Sequence, residues 1–208
     1  MVQTISATSI TLHDLESKFE LQLIDDESFF REWRDNLPEI TDLEKQQLDR
    51  VKASYLNLVK YSMLEEAVKM VIVSPLLNLA SFYLHPFHIA TEETVEIYDE
   101  DEGVVIKEKI DFLVVKNQLL VLVIESKRAS YSLEVAIPQI LTYMMANPNV
   151  DSQIFGMITT GREFQFIKLV KEGIPKYALS NSFDIRDSGN ELYGVLSVLK
   201  GFAQMMVG

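Results

Sequence analysis

The first half of the chain has apolar residues at helical spacing. Thr41 and Glu44 form a capping-box pattern, and apolar positions then recur every three or four residues as far as Ser74. This stripe predicts one long helix, or two helices with a break near Lys60–Met63. Earlier in the chain, four apolar residues at the same spacing predict a short helix that ends at Pro38. These four residues are Phe29, Phe30, Trp33 and Leu37.

The second half of the chain changes to the alternating pattern that is typical of strands. Consecutive strands are predicted over TVEIY, VVIKEKIDFLVV and QLLVLVIESK, and the last two form a hairpin around Lys116–Gln118. A second hairpin is predicted within IFGMITTGREFQFIKLV, with its turn at Thr160–Arg162, and a further strand over PKYAL. Two helices are predicted, one over VAIPQILTYMMANP with Pro138 in its first turn and one over ELYGVLSVLKGFAQMMV.

This order of elements indicates a single α/β domain in which a mixed β-sheet is flanked by helices. We divide it into an N-terminal helical extension at residues 1–47, a core at 48–183 and a C-terminal helix at 184–208. The last helix carries an apolar stripe, for which core packing is the default interpretation and a homodimer interface is the alternative. The stripe consists of Leu192, Val195, Leu199, Phe202 and Met206.

Composition excludes several classes of site. The chain has no cysteine, so it forms neither disulfides nor thiolate metal sites. Its three histidines, His13, His85 and His88, are scattered, which argues against a zinc centre. The apolar runs are too short to span a bilayer, and the N-terminal residues lack the pattern of a secretion signal. We therefore expect a cytoplasmic protein that does not enter the membrane.

The charge of the chain is unevenly distributed. Its formal net charge of −12 argues at first against a nucleic-acid ligand. However, residues 1–102 hold 21 acidic and 8 basic residues, whereas residues 103–208 hold 10 and 11. The second half is thus nearly neutral, and its charge does not exclude a polyanionic partner.

Charged residues follow the buried strand of the first predicted hairpin, in the stretch VLVIESKRAS. Residues two apart on a strand share a face, so Glu125 and Lys127 project together. If the hairpin turns about Gln118, Asp111 lies directly opposite Glu125. Like charges in that arrangement are destabilising, and a hard divalent cation such as Mg²⁺ would compensate for the repulsion.

The spacing of these residues resembles that of a known nuclease superfamily. Asp111, followed about fourteen residues later by Glu125-Ser126-Lys127, resembles the motif of the PD-(D/E)XK nucleases, with Ile110 in place of the usual proline. A superfamily resemblance of this kind implies a restriction-endonuclease-like core.

Three further segments resemble the nuclease domain of type I restriction enzyme R subunits. Gln139 and Tyr143 match a Q-x-x-x-Y element that is also found in the RecB-like branch. The segment MLEEAVKMVIVSPLL resembles the helix before the core, where a glutamate precedes Pro-Leu-Leu; Glu65 is the better match and Glu66 its neighbour. IFGMITTGREFQFIKL resembles the strand-turn-strand that follows. The resemblance runs from about residue 60 to 170.

The resemblance implies a Mg²⁺-dependent endonuclease that hydrolyses DNA phosphodiesters, with Mn²⁺ able to replace Mg²⁺. Asp111 and Glu125 would bind the metal, together with the backbone carbonyl of Ser126. Glu65 would bind the same ion directly or through water, or hold a second ion.

The remaining residues of the motif would act on the water and the nucleic acid. Lys127 would position the attacking water or stabilise the charge on the phosphate. Gln139 and Tyr143 would orient the nucleic-acid backbone or Lys127 itself.

The chain has no G-x-x-x-x-G-K-[ST] loop, so it does not encode an ATP-driven motor. We expect a stand-alone nuclease domain that acts alone or is targeted by a partner protein. Two alternatives stay open: a nuclease fold used as a catalytically silent binding or assembly module, and a RecB-like exonuclease or DNA-repair nuclease.

Overall fold

The computed structural model shows one mixed β-sheet with helices on both faces, a mixed α/β architecture. Nine strands among the described residues belong to this sheet. The described residues are 3–6, 10–61, 63–99, 104–116, 119–126, 132–147 and 153–207.

The elements follow one another along the chain in this way. The helices are α1 (Leu12–Phe19), α2 (Asp42–Leu58), α3 (Glu65–Val68), α4 (Ser74–Leu79), α5 (Ile137–Met145) and α6 (Leu192–Val207). Two 3-10 turns lie at Val59–Tyr61 and Leu133–Val135, and a π turn at Lys69–Val73 joins α3 to α4. The strands are β1 (Gln3–Ser6), β2 (Gln22–Leu23), β3 (Phe87–Asp99), β4 (Val104–Lys116), β5 (Leu119–Ser126), β6 (Gln153–Thr159), β7 (Glu163–Val170), β8 (Lys176–Leu179) and β9 (Phe183–Asp184).

Strand β4 organises the first half of the sheet. Antiparallel β3 follows one of its edges along the whole length, while β1 and β5 share the other edge end to end. From β5 the order continues through β6, β7 and β8 to β2. Strands β5 and β6 are parallel, and α5 provides the crossover between them. Both predicted hairpins, β4–β5 and β6–β7, are confirmed by antiparallel pairing.

Side chains alternate between the two faces of the sheet along each strand, and each face packs into a separate hydrophobic core. On β4, Val114 packs into one core with the helices α2, α3, α4 and α6. Its neighbour Leu113 packs into the second core, with α1 and α5. The sheet is thus covered on both faces by helices. No helix in the described part of the chain is both long and apolar enough to cross a bilayer.

The helical region after Thr41 has the predicted cap and the predicted break. Thr41 Oγ1 accepts from the backbone N–H of Glu44, and the Glu44 side chain accepts from the backbone N–H of Thr41. Helix α2 ends at Leu58, and helical structure resumes at Glu65. Of the two predictions, two helices with a break is the confirmed one.

The prediction of a short helix before Pro38 is wrong, because this segment consists of turns. The Phe29 carbonyl accepts from Lys168 Nζ at 2.9 Å instead of from a helical N–H. Lys168 Nζ also lies 2.5 Å from Glu32 Oε1, an ion pair that ties the segment to β7. Asn36 then adopts a left-handed backbone conformation with φ 51°. The four apolar side chains at helical spacing still pack on the first core.

The predicted boundaries of the N-terminal extension and the C-terminal helix also differ from the structure. Within residues 1–47, the strands β1 and β2 join the sheet by pairing with β4 and β8, so this segment is not a purely helical extension. The C-terminal helix begins at Leu192 rather than at residue 184, because Phe183 and Asp184 form β9 beside β7.

The apolar stripe on α6 is part of the chain's own core. Four of its five residues are fully buried against the first core, and the fifth packs beside them. Because the chain's own core already covers these side chains, the stripe does not form the homodimer interface that was the alternative interpretation. The buried four are Leu192, Val195, Leu199 and Phe202.

The turn between β6 and β7 is closed by a glycine and an ion pair. Gly161 has φ 77°, and a Cβ there would lie 3.1 Å from Val68 Cγ1, so the turn needs glycine. Next to it, Arg162 Nε and Nη2 donate to Asp184 Oδ2 at 2.9 and 2.7 Å. Burial by itself raises the pKa of the Asp184 carboxyl, but hydrogen bonds from Arg162 and the Arg186 backbone N–H lower that pKa below its usual value.

We expect Asp184→Asn to destabilise the protein more at neutral pH than in acid. The folded pKa of Asp184 lies below its usual value of 3.8. The charged carboxylate therefore stabilises the fold above that pH, and the contribution is lost as the pH falls through the lower folded value. Urea unfolding of the two proteins between about pH 7 and pH 3 measures the difference. A difference in midpoint that stays constant over this range would contradict the assignment.

Candidate functional site

The β4–β5 hairpin brings Asp111 and Glu125 to neighbouring positions of the backbone. Phe112 pairs with Ile124, so Asp111 and Glu125 are each one residue further along these antiparallel strands. The backbone of Glu125 also pairs with Ile158 on β6, and that of Ser126 with Thr159.

Several predicted site atoms on this hairpin lie outside the described part of the chain. The side chains of Glu125 and Ser126 are among them, and so is the whole of Lys127. The metal-binding and catalytic roles predicted for these groups therefore stay predictions. Asp111 is described, and its side chain is 10% exposed.

The helix that carries Glu65 is interrupted by a π turn. The backbone N–H of Ser74 donates to the carbonyl of Lys69, five residues earlier. Pro75 has no N–H to donate, and its ring would collide with the carbonyl of Val71 in a regular α-helix. A π turn inserts one extra residue and so shifts the side chains of α3 in phase relative to those of α4. Glu65 lies on the N-terminal side of this shift, and Lys69 is the first residue of the π turn.

Lys69 is the residue on which the predicted carboxylates converge. Its Nζ forms an ion pair with Asp111 Oδ1, across from the helix to the sheet. Glu65 Oε1 lies 3.8 Å from the same nitrogen and Glu66 Oε1 lies 4.0 Å from it. The structure therefore brings together Asp111 and both candidate glutamates of the helix around one cation.

Exposure distinguishes the two glutamates. The Glu65 side chain is 29% exposed and that of Glu66 is 80% exposed. A partly buried carboxylate is less screened by water than an exposed one, so Glu65 interacts more strongly with a cation beside Asp111. This geometry favours Glu65 over Glu66 as the helix carboxylate of the site.

The charge of Lys69 is maintained by these neighbours. Burial by itself lowers the pKa of the Lys69 ammonium, because the charged form loses water. The hydrogen bond to Asp111 and the negative charges of Asp111, Glu65 and Glu66 outweigh this effect. The net result is a pKa raised above the usual value for lysine.

Gln139 and Tyr143 interact with each other in the second core. Gln139 Nε2 donates to Tyr143 Oη at 2.7 Å, and both side chains are buried. Residues four apart share a face of α5, as the sequence predicts. Tyr143 belongs to the core on the α1 and α5 face, whereas Lys69 follows Val68 of the opposite core. Their predicted contact with nucleic acid would need these two buried side chains to become accessible.

The donor atoms of the described site fit a hard divalent cation. Carboxylate oxygens are the preferred ligands of Mg²⁺ and Mn²⁺, and Asp111 and Glu65 supply them from two different elements. The Lys69 ammonium shows that this position accepts positive charge. Within the described residues, no three acidic or histidine side chains are arranged to hold a metal by themselves. A complete site would therefore require Glu125, whose backbone is adjacent.

Three pockets among the described residues lie elsewhere, along α6. One of about 610 Å³ is lined by residues that include Tyr193. One of about 480 Å³ is lined by residues that include Arg31 and Gln204, and one of about 290 Å³ by residues that include His85 and Lys200. None of these three pockets includes a residue of the predicted site.

Lys69 is the site residue that the sequence interpretation missed. Its spacing from Glu65, four residues along a helix, is typical of a helical ion pair and was visible in the sequence. That spacing, however, indicates only a surface pair. The contact with Asp111 depends on how the helix lies against β4, which no local pattern encodes.

The chain matches no protein-family model, and no curated protein is significantly similar to it. Any functional conclusion therefore depends on the residues and geometry of the chain itself.

Proposed function

We propose that this protein is a Mg²⁺-dependent DNA endonuclease with a restriction-endonuclease-like core. One observation supports this proposal most. The carboxylates of Asp111, on a strand, and Glu65, on a helix, lie around the same positive charge, the ammonium of Lys69. The order of elements also agrees with what the resemblance implies. A helix with a glutamate precedes the β4–β5 hairpin, and α5 leads from β5 to the parallel strand β6.

In the proposed reaction, water adds to the phosphorus of a DNA phosphodiester and one ester P–O bond breaks. Mg²⁺, or Mn²⁺ in its place, would supply Lewis-acid stabilisation of the charge on the phosphate. Asp111, Glu125, Glu65 and the Ser126 carbonyl would hold the ion. The proton lost by the water passes to the leaving oxygen or to solvent.

The lysine of the motif has a separate task. Lys127 would orient the attacking water and stabilise negative charge as it develops on the phosphoryl oxygens. Gln139 and Tyr143 would hold the lysine or the strand in position rather than touch the reacting atoms, since both are buried.

The negative charge of the site makes the metal a requirement for binding as well as for chemistry. Without a metal, the carboxylates of Asp111, Glu65 and Glu66 outnumber the single ammonium of Lys69 beside them, so their net negative charge repels a phosphate. Because the second half of the chain is nearly neutral, DNA binding depends on few phosphate contacts and falls less steeply with salt than for a basic protein.

The test is a cleavage assay on supercoiled, relaxed circular and linear DNA and on RNA, with Mg²⁺, Mn²⁺ or a chelator. We expect metal-dependent nicking or cutting of circular DNA, reduced about 100-fold or more in Lys127→Ala because a charge-stabilising group is lost. Lys60→Ala, which removes an exposed lysine, is the matched control and should cut at the wild-type rate.

Each other outcome identifies an alternative. Cleavage of linear DNA alone indicates an exonuclease. Metal-independent or metal-dependent DNA binding in mobility shifts, with no cleavage under either ion, indicates the silent binding module. Full activity in folded Lys127→Ala would exclude the proposed role of that lysine.

A further inference from the structure

The ion pair between Lys69 and Asp111 occupies the position that the proposed function gives to a divalent cation. Lys69 is 21% exposed and Asp111 is 10% exposed, so the pair is largely withdrawn from water. Lys69 comes from the helical segment that follows Glu65, and it reaches the one described carboxylate that the β4–β5 hairpin contributes.

We propose that Lys69 is an internal counter-ion that competes with the divalent metal for Asp111. In the metal-free protein its ammonium neutralises Asp111 and Glu65 and so holds the helix against the sheet. For a metal to bind, the ammonium has to leave Asp111. Lys69 thereby sets the metal affinity of the site. This inference rests on the proposed function, because it assumes that Asp111 is a metal ligand.

The competition follows from contact distances and charge. Oxygen ligands lie about 2.0–2.6 Å from Mg²⁺, Mn²⁺ or Ca²⁺ ions. An ion bound to the same Asp111 oxygen as Lys69 Nζ would be a near neighbour of that ammonium, in a place that water screens poorly. Two cations repel each other strongly there, so the two bound states exclude one another.

Glu66 offers the displaced ammonium another partner. Its Oε1 lies only 4.0 Å from Lys69 Nζ, and its side chain is 80% exposed, on the solvent side of the cluster. The lysine side chain is long and has four rotatable bonds, so its head group moves easily between partners. A short movement from Asp111 towards Glu66 would keep Lys69 paired while it releases Asp111. This assigns Glu66 a role that differs from that of Glu65.

The test is Mn²⁺ binding to the full chain, measured from the electron paramagnetic resonance signal of the free ion. We expect Lys69→Gln to bind Mn²⁺ about tenfold more tightly than the wild type, since the competitor is gone. Lys69→Arg, which keeps the charge, should bind no more tightly than the wild type. Lys200→Gln is the matched control, because Lys200 pairs with Glu44 in an ion pair elsewhere that is similarly withdrawn from water.

A second variant separates displacement from a general effect of charge. Glu66→Gln should weaken Mn²⁺ binding about threefold in the wild type, because Lys69 loses its alternative partner. In the Lys69→Gln background the same change should have little effect, which a double-mutant cycle measures. Glu66 is exposed, so Glu66→Gln should fold, and an unchanged Mn²⁺ affinity in this single variant would contradict displacement even if Lys69→Gln folds poorly.

The results that overturn the inference differ from those that overturn the proposed function. Equal Mn²⁺ affinity in wild type and folded Lys69→Gln, or equal effects of Glu66→Gln in both backgrounds, would refute displacement and leave the nuclease proposal standing. Absence of Mn²⁺ binding in every variant at millimolar metal would refute both. Tighter binding in Lys69→Gln without any DNA cleavage would support the inference and refute the nuclease.

Discussion

Asp111→Asn should abolish DNA cleavage, with a loss of about 100-fold or more in rate, and weaken Mn²⁺ binding at least about tenfold. The amide keeps the size of the side chain and still accepts a hydrogen bond from Lys69. It removes the negative charge that pairs with Lys69 and that would bind the metal. Rate and Mn²⁺ affinity are measured on the same preparations.

The expected cost in stability is smaller than the loss of activity. Lys69 keeps the nearby carboxylates of Glu65 and Glu66, so its ammonium is not left without opposite charge. We expect the free energy of unfolding to fall by about 1–2 kcal/mol. The control is Asp42→Asn, which removes a carboxylate that is 93% exposed, and it should leave both activity and Mn²⁺ affinity unchanged. Wild-type cleavage by folded Asp111→Asn would remove the basis of the proposed site.

Phe202→Ala should lower the free energy of unfolding by about 3–5 kcal/mol. Phe202 is fully buried in the C-terminal half of α6. Its ring stacks on Phe155 with centroids 4.2 Å apart and meets Phe166 edge-on at 5.5 Å. Truncation removes both aromatic contacts and leaves a cavity between α6 and the sheet, where the backbone relaxes only in part.

Urea unfolding with a matched variant on the same helix measures this effect. Met205 lies three residues further along α6 and is 44% exposed, so Met205→Ala should cost less than about 1 kcal/mol. Similar costs for the two variants would show that α6 is not held by the Phe202 cluster. They would also reopen the question of what its apolar stripe packs against.

Elements with a strong local pattern were predicted correctly from the sequence. The β6–β7 hairpin is an example, because Gly161 between two alternating runs allows the left-handed backbone that its turn needs. The capping box of Thr41 and Glu44 is another, since both hydrogen bonds join residues three apart. In each case the interactions that define the element lie within a few residues of one another.

Elements that depend on distant partners were missed. Strands β1 and β2 are too short to show a period, and they exist as strands because β4 and β8 offer them free edges. The apolar residues around Phe29 have helical spacing, yet this segment does not form a helix. The Phe29 carbonyl instead accepts a hydrogen bond from Lys168, about 140 residues away in the chain. Helical spacing there reflects packing on the core without helical hydrogen bonds.

In the candidate site, too, some features were predictable from local sequence and others depend on distant parts of the chain. The sequence by itself determined that Asp111 and Glu125 lie on the two strands of one hairpin, near the ends away from the turn. Next to the turn, Lys116 pairs with Leu119, a register that would place Asp111 opposite Ile124. Only the register shift between Val114 and Val115 brings Asp111 opposite Glu125, and the position of the turn does not encode it.

Only the tertiary structure decided that Lys69 faces Asp111 and that Gln139 and Tyr143 are buried. Spacing along one strand or helix sets which side chains share a face. The distance between a helix and a strand is set by the packing of the whole core, to which residues from the entire chain contribute.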